Sequence, residues 1–390
     1  MIVGAPMDST EDLEQPGTAE HAPSSRHRLD SALSIAGWAY VAVLLWTAGS
    51  RSLRIVWPWS ISVLLQALTP VLYLPVYLLA PHAAWRRRWA QCAVAVGLIG
   101  VHLLSILPAM GSTPPPSWAA TGDTLKVLSA NVYENNQESD RAVRALLAEH
   151  ADVMIVVEIT PVFRRAMENA GVDESYPFQV FAPPDPQLVT EAIYSRRPFR
   201  DVDEVTVSRA HFESATVGLG STGLSVMAVH VDSARVDAGE WEAELHQLAR
   251  VAAAAPGPLM LAGDFNATRW NPPFGDLLHG GLADAHEARG KGLSFSWPIA
   301  SFRPPLMRLD HALVNHHVAV LGVHDFSVPG SDHRAFSVTV AVDPSPVSAR
   351  LSAVRPAAGH AAAPTASATG WGSRPRHGRG SAATSGPAPG

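Results

Sequence analysis

One short segment, Gly263-Asp264-Phe265-Asn266, constrains this chain more than any other part of its sequence. It follows an apolar run, Pro258-Leu259-Met260-Leu261-Ala262, which has the length and composition of a buried strand. Side chains two residues apart in a strand lie on the same side, so Asp264 and Asn266 are predicted to project together from the strand's tip. A carboxylate there can orient a water molecule, and an amide can hold a phosphoryl oxygen. The segment predicts a polar site, with an ordinary turn as the alternative.

Other polar residues follow the same arrangement. Most of them end or interrupt an apolar run of strand length, and polar residues at the ends of buried strands gather at one rim of a sheet structure. They are Asn131, Glu158, His230, Asp310, Asp332 and His333. Strands are predicted over residues 125–132, 153–157, 192–195, 224–229, 258–262, 309–314 and 335–342, and helices over 139–149 and 238–254. Mixed strands and helices of this kind are typical of a layered α/β sandwich.

In this ordered set of motifs the chain resembles the endonuclease/exonuclease/phosphatase superfamily. These metal-dependent phosphoesterases include deoxyribonuclease I, abasic-site nucleases, sphingomyelinases and inositol phosphatases. The resemblance covers roughly residues 124–342. It implies a four-layer α/β sandwich, in which two mixed sheets are flanked by helices, and it implies hydrolysis of a phosphoester.

A metal site is expected within this set. A lone glutamate after four apolar residues, as at Glu158, is costly to bury unless it is paired or coordinated. Mg²⁺ prefers oxygen ligands and keeps several waters, so one or two carboxylates suffice, and Mn²⁺ is the alternative ion. Asn131 would hold the ion or a water bound to it. The resemblance implies that Asp332 also lies near the metal.

The resemblance further implies the catalytic roles. His333 would act as acid or base opposite the scissile phosphate, and Asp310 would orient it and stabilise its charge. Asp264 would position the attacking water as its base, and Asn266 would bind the phosphate. His230 would hydrogen-bond the phosphate or protonate the leaving group.

The sequence departs from the family pattern beside these residues. Val157 precedes the metal glutamate where many members have Gln or another polar residue, and Glu191-Ala192 stands where a glycine is frequent. Val229 replaces the usual threonine before His230. The first two changes are expected to alter substrate contacts, and none of the three removes a catalytic group.

Charge separates the candidate substrates. Residues 124–345 carry 17 Lys and Arg against 28 Asp and Glu, a formal charge of −11. Proteins that bind long nucleic acids usually carry a basic surface, because neutralising phosphates supplies most of the affinity. This balance argues against a long polyanion as substrate, although a metal ion and local arginines can still attract a single phosphate group.

The first third of the chain predicts a membrane anchor. Residues 1–30 are acidic and rich in Pro, Ser and Thr, which predicts a disordered tail. Apolar stretches over 34–48, 61–80 and 93–110 predict three transmembrane helices within residues 31–111, because a spanning helix needs about 20 apolar residues. The alternatives are a buried helical core or a cleaved signal peptide. Residues 112–123 contain Pro114-Pro115-Pro116 and form a predicted linker.

The arginines indicate an orientation. Arg26 and Arg28 precede the first apolar stretch, and Arg86 to Arg88 separate the second from the third. With these on the cytoplasmic side, residues 124–345 would lie outside the cytoplasm, and a re-entrant second stretch would reverse this. Residues 346–390 hold arginines and no acid, which predicts a disordered basic tail.

Three helices before such a domain resemble the VanJ-type teicoplanin-resistance proteins. This implies a multi-pass protein of the cell membrane acting on a lipid-linked polyprenyl diphosphate of cell-wall synthesis. The alternatives are an extracytoplasmic or membrane-anchored nuclease and a catalytically silent binding protein. The sequence leaves the oligomeric state open.

Overall fold

The computed structural model describes residues 25–56, 59–183, 189–208, 210–220, 222–299 and 304–344. Residues 1–24 of the predicted N-terminal tail and the predicted tail 346–390 lie outside the described residues. Residues 25–30 are helical, since the first helix begins at Ser25.

Helices dominate the described residues before position 111. They are α1 (Ser25–Ser52), α2 (Trp59–Ala67), α3 (Thr69–Leu72), α4 (Val76–Trp85) and α5 (Trp89–Met110). Two segments, Leu29–Ser52 and α5, are long and apolar enough to cross a membrane.

The second predicted span is broken. Ser60–Ala67 and Thr69–Trp85 are bent by 68° relative to each other, and they make a third span only if the bent pair is counted as one. Pro70 lies in the first turn of α3 and Pro75 immediately precedes α4, where a residue without a backbone N–H interrupts the helical hydrogen bonds. Two helices therefore have the length and apolarity expected of spanning helices, and three spans in a membrane stay a prediction.

The helices α1 and α3–α4 run antiparallel. The Tyr73 hydroxyl donates to the carbonyl of Leu44 at 2.9 Å, and Arg88 in the α4–α5 turn donates to the carbonyl of Asp30 at 2.8 Å. At the opposite end, Arg51 donates to Ser105 Oγ at 2.8 Å. The C-terminal ends of α1 and α5 therefore lie together, and α2 lies with them.

Two mixed sheets form the rest of the described structure. Their strands are β1 (Asp123–Asn131), β2 (Val153–Ile159), β3 (Phe178–Phe181), β4 (Thr190–Ser195), β5 (Phe199–Val207), β6 (Ala210–Leu219), β7 (Thr222–His230), β8 (Leu259–Asp264), β9 (Ala283–Asp284), β10 (Asp310–Val314), β11 (Val318–Ser327) and β12 (Arg334–Val342). The first sheet has the order β11-β12-β1-β2-β4-β3, and the second has the order β5-β6-β7-β8-β10-β9.

The remaining helices pack on the outer faces of the sheets, except the last, whose Ala285 belongs to the core between the sheets. They are α6 (Ser139–Ala148), α7 (Pro161–Asn169), α8 (Val172–Ser175), α9 (Ala238–Ala254), α10 (Pro272–His279) and α11 (Ala285–Ala288), with a short 3₁₀ turn over Ser117–Ala120.

Three apolar cores hold four layers together. Val127, Ile155 and Val226 belong to the core between the two sheets. Phe163 joins α7 to the first sheet, and Trp241 joins α9 to the second. Because each core consists of buried aliphatic and aromatic side chains, burial of apolar surface is the main force that stacks the layers. The arrangement is the expected α/β sandwich of two mixed sheets flanked by helices.

Candidate active site

The predicted site residues reach one rim of the sandwich because of strand direction. The strands β1 and β2 are parallel, as are β7 and β8, so their C-terminal ends point the same way. The strands β4, β10 and β12 run antiparallel to these neighbours, so their N-terminal ends lie at the same rim. The rim therefore collects the C-terminal residues Asn131, Glu158, His230 and Asp264, and the N-terminal residues Glu191, Asp310 and His333.

Gly263 allows the two central strands of the second sheet to approach closely. Its φ is +147°, and a Cβ there would lie 1.8 Å from the carbonyl oxygen of Val229. A side chain is thus excluded at this position, and the register places His230 opposite Asp264.

Glu158 is aimed by an irregularity in β2. The pairing of β2 with β4 shifts register between Val156 and Ile159, and Glu158 has a left-handed φ of 61°. Such bulges redirect a side chain. The carboxylate accepts from Asn131 Nδ2 at 2.7 Å and from the backbone N–H of Glu134 at 2.8 Å. Both carboxylate oxygens are therefore held in place.

Asn131 connects two carboxylates. It is 1 % exposed, and its Nδ2 also lies 3.2 Å from Asp264 Oδ2. The backbone N–H of Tyr133 donates to its Oδ1 at 2.9 Å. The amide is therefore fixed between the carboxylates of Glu158 and Asp264.

His333 forms a second group with Asp310 and Asp264. His333 Nδ1 lies 2.8 Å from Asp310 Oδ2, and its Nε2 lies 3.7 Å from Asp264 Oδ2. All three residues are buried. The Ser296 hydroxyl accepts from the backbone N–H of Asp310 at 3.3 Å. Asp310 thus orients the imidazole, whose other nitrogen faces Asp264.

His230 has an analogous carboxylate partner, Glu191, for which the sequence pattern predicts no catalytic role. His230 Nδ1 lies 3.1 Å from Glu191 Oε1, and its Nε2 lies 3.7 Å from Glu158 Oε1. The only sequence signal was the departure from the family pattern at Glu191-Ala192. The antiparallel pairing of β2 with β4 brings Glu191 to the rim.

Burial and charge shift the protonation of these groups in opposite directions. Burial alone would lower the pKa of His333, but the carboxylates of Asp310 and Asp264 raise it to about 10. Burial likewise opposes charge on His230, and Glu191 raises its pKa to about 10. For Asp264, burial is the largest effect and raises the pKa to about 6. The apo site thus favours two imidazolium ions beside a carboxyl group that titrates near neutrality.

Asn266 and Asp332 lie at the same cavity with different partners. Asn266 has a left-handed φ of 45°, and its Nδ2 donates to the carbonyl of Val231 at 2.9 Å, which leaves a second amide hydrogen. Asp332 Oδ2 accepts from Trp297 Nε1 at 3.1 Å, and its Oδ1 is 3.9 Å from His333 Nε2. The structure therefore brings all eight predicted residues to one region.

The donor set fits a divalent cation. Two groups each offer three ligand atoms within 4.8 Å of one another: Glu158, His230 and Asp264 in one, and Asp264, Asp310 and His333 in the other. The carboxylate oxygens of these groups suit Mg²⁺ or Mn²⁺, whereas His230 and His333, as imidazolium ions, have no lone pair to offer a metal ion. Among the described residues that line the cavity, the carboxylates are Glu134, Glu158, Asp232, Asp264 and Asp332. The cationic groups there are Arg235 and the imidazolium ions of His230 and His333. The negative charge left uncompensated would be neutralised by a cation.

These features define the class of α/β sandwich proteins related to deoxyribonuclease I. The Endonuclease/Exonuclease/phosphatase family matches residues 128–333, which is more than half of the chain. The chain belongs to this family, whose members generally hydrolyse phosphoesters and typically use a divalent metal ion.

Solved structures to which the chain is similar include a humanized D. rerio TDP2 carrying 14 mutations. It has 20% sequence identity and a TM-score of 0.49, with 56% of this chain and 99% of that chain covered. An endonuclease/exonuclease/phosphatase from Beutenbergia cavernae has 18% identity and a TM-score of 0.46, with 58% and 74% covered. D. rerio TDP2 complexed with a single strand DNA product has 18% identity and a TM-score of 0.48, with 56% and 99% covered. No curated protein matches the chain significantly.

Proposed function

We propose that this chain is a membrane-anchored, Mg²⁺-dependent hydrolase of a lipid-linked phosphoester or diphosphate. With a polyprenyl diphosphate, water would attack the terminal phosphorus and break the P–O–P bond, which releases inorganic phosphate and the polyprenyl monophosphate. The observation that carries the proposal is the buried contact of His333 with Asp310 and Asp264 at the cavity that Glu158 and His230 also line. Hydrolysis of a phosphoester needs an activated water, stabilisation of the charge on the phosphate, and a proton for the leaving oxygen. The cavity offers a group for each.

Asp264 is the base in this proposal. Its pKa near 6 allows the carboxylate to accept a proton from water at neutral pH. His333 lies next to it and, as an imidazolium ion, would donate to the phosphoryl group. Asp310 keeps that charge in place by its hydrogen bond to Nδ1. Asn266 would contribute the amide hydrogen that Val231 leaves free.

His230 would supply the proton to the leaving oxygen or hydrogen-bond the phosphate, with Glu191 holding its ring. Glu158, Asn131 and Asp332 would hold the metal ion. When bound, a divalent cation would screen the anionic phosphate and strengthen the acidity of a bound water.

The helices support attachment to a membrane with the site outside the cytoplasm. Arg86 to Arg88 lie in the α4–α5 turn next to Asp30, at the end of the helical rods remote from the sandwich. Positive residues prefer the cytoplasmic side, so the end that carries the sandwich would face away from the cytoplasm. A reporter fused after residue 120 would test this, and reporter activity confined to the cytoplasm contradicts it.

A phosphate-release assay tests the activity. Full-length protein in detergent with Mg²⁺ is expected to release phosphate from geranylgeranyl diphosphate. His333→Ala should abolish the release, and His324→Ala, at an exposed histidine on β11, should not.

Two outcomes favour the alternatives. Nicking of plasmid DNA without diphosphate hydrolysis, lost in His333→Ala, would identify a nuclease. Absence of phosphate release from every diphosphate, diester and monoester, with the cellular phenotype retained in Asp264→Ala, would identify a silent binding protein.

A further inference from the structure

The candidate active-site cavity has one wall that does not belong to the sandwich. The cavity encloses about 520 Å³, and α2 of the N-terminal helical region contributes Ser60, Val63, Leu64 and Ala67 to its lining. His230, Asp264 and His333 line the same cavity. The catalytic groups therefore face a space that an apolar helix borders.

This wall is fixed to the sandwich by hydrogen bonds. Asn271 Nδ2 donates to the carbonyl of Val63 at 3.0 Å, and Asn271 Oδ1 accepts from the N–H and the hydroxyl of Thr268 at 2.8 and 2.9 Å. All of these groups are buried, and the turn that contains them begins two residues after Asn266. The α2 wall and the catalytic loop are thus held in one arrangement.

Apolar packing adds to this attachment. Ala67 forms a small buried cluster with Met307 and Leu309, against which Leu68 and Trp297 pack. Trp297 also donates to Asp332. The apolar surface of α2 therefore continues onto the sandwich beside the predicted metal site.

The same apolar surface continues outward. Leu64 is 47 % exposed, Ile61 on α2 is 62 % exposed, and Val236 at the cavity rim is 84 % exposed. The helix α2 follows the long apolar α1 and lies at the ends of α1 and α5 that face the sandwich. If α1 and α5 cross a bilayer, α2 lies at the bilayer surface, with one side toward the lipid and the other toward the cavity.

We propose that α2 binds the hydrocarbon chain of the substrate, so that a lipid phosphoester reaches the catalytic groups from the plane of the membrane. This inference rests on the proposed function and specifies how its substrate is recognised. The apolar wall suits a chain of methylene and methyl groups, because burying such groups is favourable in proportion to the area removed from water. The acidic remainder of the cavity, with a metal ion bound, suits one phosphate headgroup.

A nucleic-acid strand fits these surfaces poorly. Binding along a phosphate backbone requires several cationic contacts. Among the described residues lining the cavity, five carboxylates outnumber the three cationic groups, which are Arg235 and the imidazolium ions of His230 and His333. An extended polyanion would meet repulsion beyond the one phosphate or diphosphate group next to the metal ion.

A chain-length series tests the proposal. Full-length protein in detergent is assayed with Mg²⁺ on geranyl, farnesyl and geranylgeranyl diphosphates. The value of kcat/KM is expected to rise by about tenfold or more from the shortest to the longest chain, because each buried methylene strengthens binding. Leu64→Gln should flatten this rise. Leu78→Gln, at a position on α4 that is 76 % exposed and outside the cavity, should keep it.

The readout is the ratio of kcat/KM between the longest and shortest substrates. A smaller fraction of folded protein lowers both values equally and leaves this ratio unchanged. Partitioning into micelles is common to all variants and cancels in the comparison of Leu64→Gln with Leu78→Gln. Hydrolysis that is independent of chain length would overturn the role of α2 and leave the hydrolase assignment intact. If kcat/KM rises steeply with chain length and Leu64→Gln preserves that rise, the hydrocarbon chain of the substrate binds on another surface. This result would also overturn the role of α2. No hydrolysis of any phosphoester would instead reject the proposed function itself.

Discussion

His333 Nδ1 lies 2.8 Å from Asp310 Oδ2, and both side chains are buried. Asp310→Asn would keep the shape of this pair and remove the charge that raises the pKa of His333. We expect kcat to fall by about 10²–10⁴-fold, the usual contribution of general acid–base catalysis. Phosphate release measures this. Asp203→Asn, an exposed change on β5, is the matched control, and an equal loss there would contradict a specific role for Asp310.

Glu191 is expected to position His230. Glu191→Ala should lower activity by about 10–100-fold, the size of loss seen when a carboxylate that orients a metal-bound histidine is removed, and Glu191→Gln should recover part of it. Because the two side chains touch, the losses in Glu191→Ala and His230→Ala should not add in the double variant. Glu204→Ala is the control, since Glu204 makes a similar contact with His211 on the exposed β5–β6 hairpin. Strictly additive losses would rule out the positioning role.

Gly263→Ala should destabilise the sandwich. The new Cβ would meet the carbonyl of Val229, and the φ of +147° is unfavourable for any side chain. We expect a loss of about 3 kcal/mol or more in the free energy of unfolding, measured by thermal or denaturant unfolding. Gly322→Ala is the control, because nothing lies within 4 Å of its added Cβ. Equal stability of the two variants would contradict the close approach of β7 and β8.

Glu244, whose carboxylate accepts from the backbone N–H of Asp232 beside the cavity, predicts a pH dependence of stability. Burial raises its pKa from 4.5 to about 7, so between these values the folded state holds a proton that the unfolded state has lost. The contribution of the protonated Glu244 to the free energy of unfolding is fully present below pH 4.5 and is lost as the pH rises through about 7. Glu244→Gln removes the titrating group. As the pH rises through this window, the free energy of unfolding of the variant should therefore increase relative to that of the wild type by about 1–3 kcal/mol.

Unfolding measured at several pH values tests the role of Glu244. Glu242→Gln, on the same helix and less buried, is the control. A stability difference between Glu244→Gln and the wild type that stays constant with pH would refute the shift.

Mg²⁺ should stabilise the folded protein at neutral pH. A cation that binds only the folded state raises the unfolding temperature with concentration, and Glu158→Gln should weaken this response. Thermal unfolding with Mg²⁺ against NaCl of equal ionic strength measures it. Asp140→Asn, exposed in the first turn of α6, should respond as the wild type does. The same response in all three proteins would place the ion elsewhere.

Local pattern was sufficient for most of the sandwich. The predicted helix 238–254 coincides with α9, and the runs ending at Asn131 and Asp264 form β1 and β8. The helix is amphipathic, and the two strands are apolar runs that end at a polar residue, Asn131 or Asp264. The hairpin of β5 and β6 was missed, because β5 is largely exposed and lacks an apolar pattern.

The sequence by itself determined the polar residues, their order and the strand ends that carry them. A polar residue at the end of a buried apolar run can be identified from the neighbouring residues alone. Only the tertiary structure decided which of these groups touch. The Glu191–His230 contact depends on antiparallel strand pairing, and the placement of α2 against the cavity depends on packing with the sandwich. Such contacts join residues that are tens to hundreds of positions apart, and local hydrophobic periodicity carries no information about them.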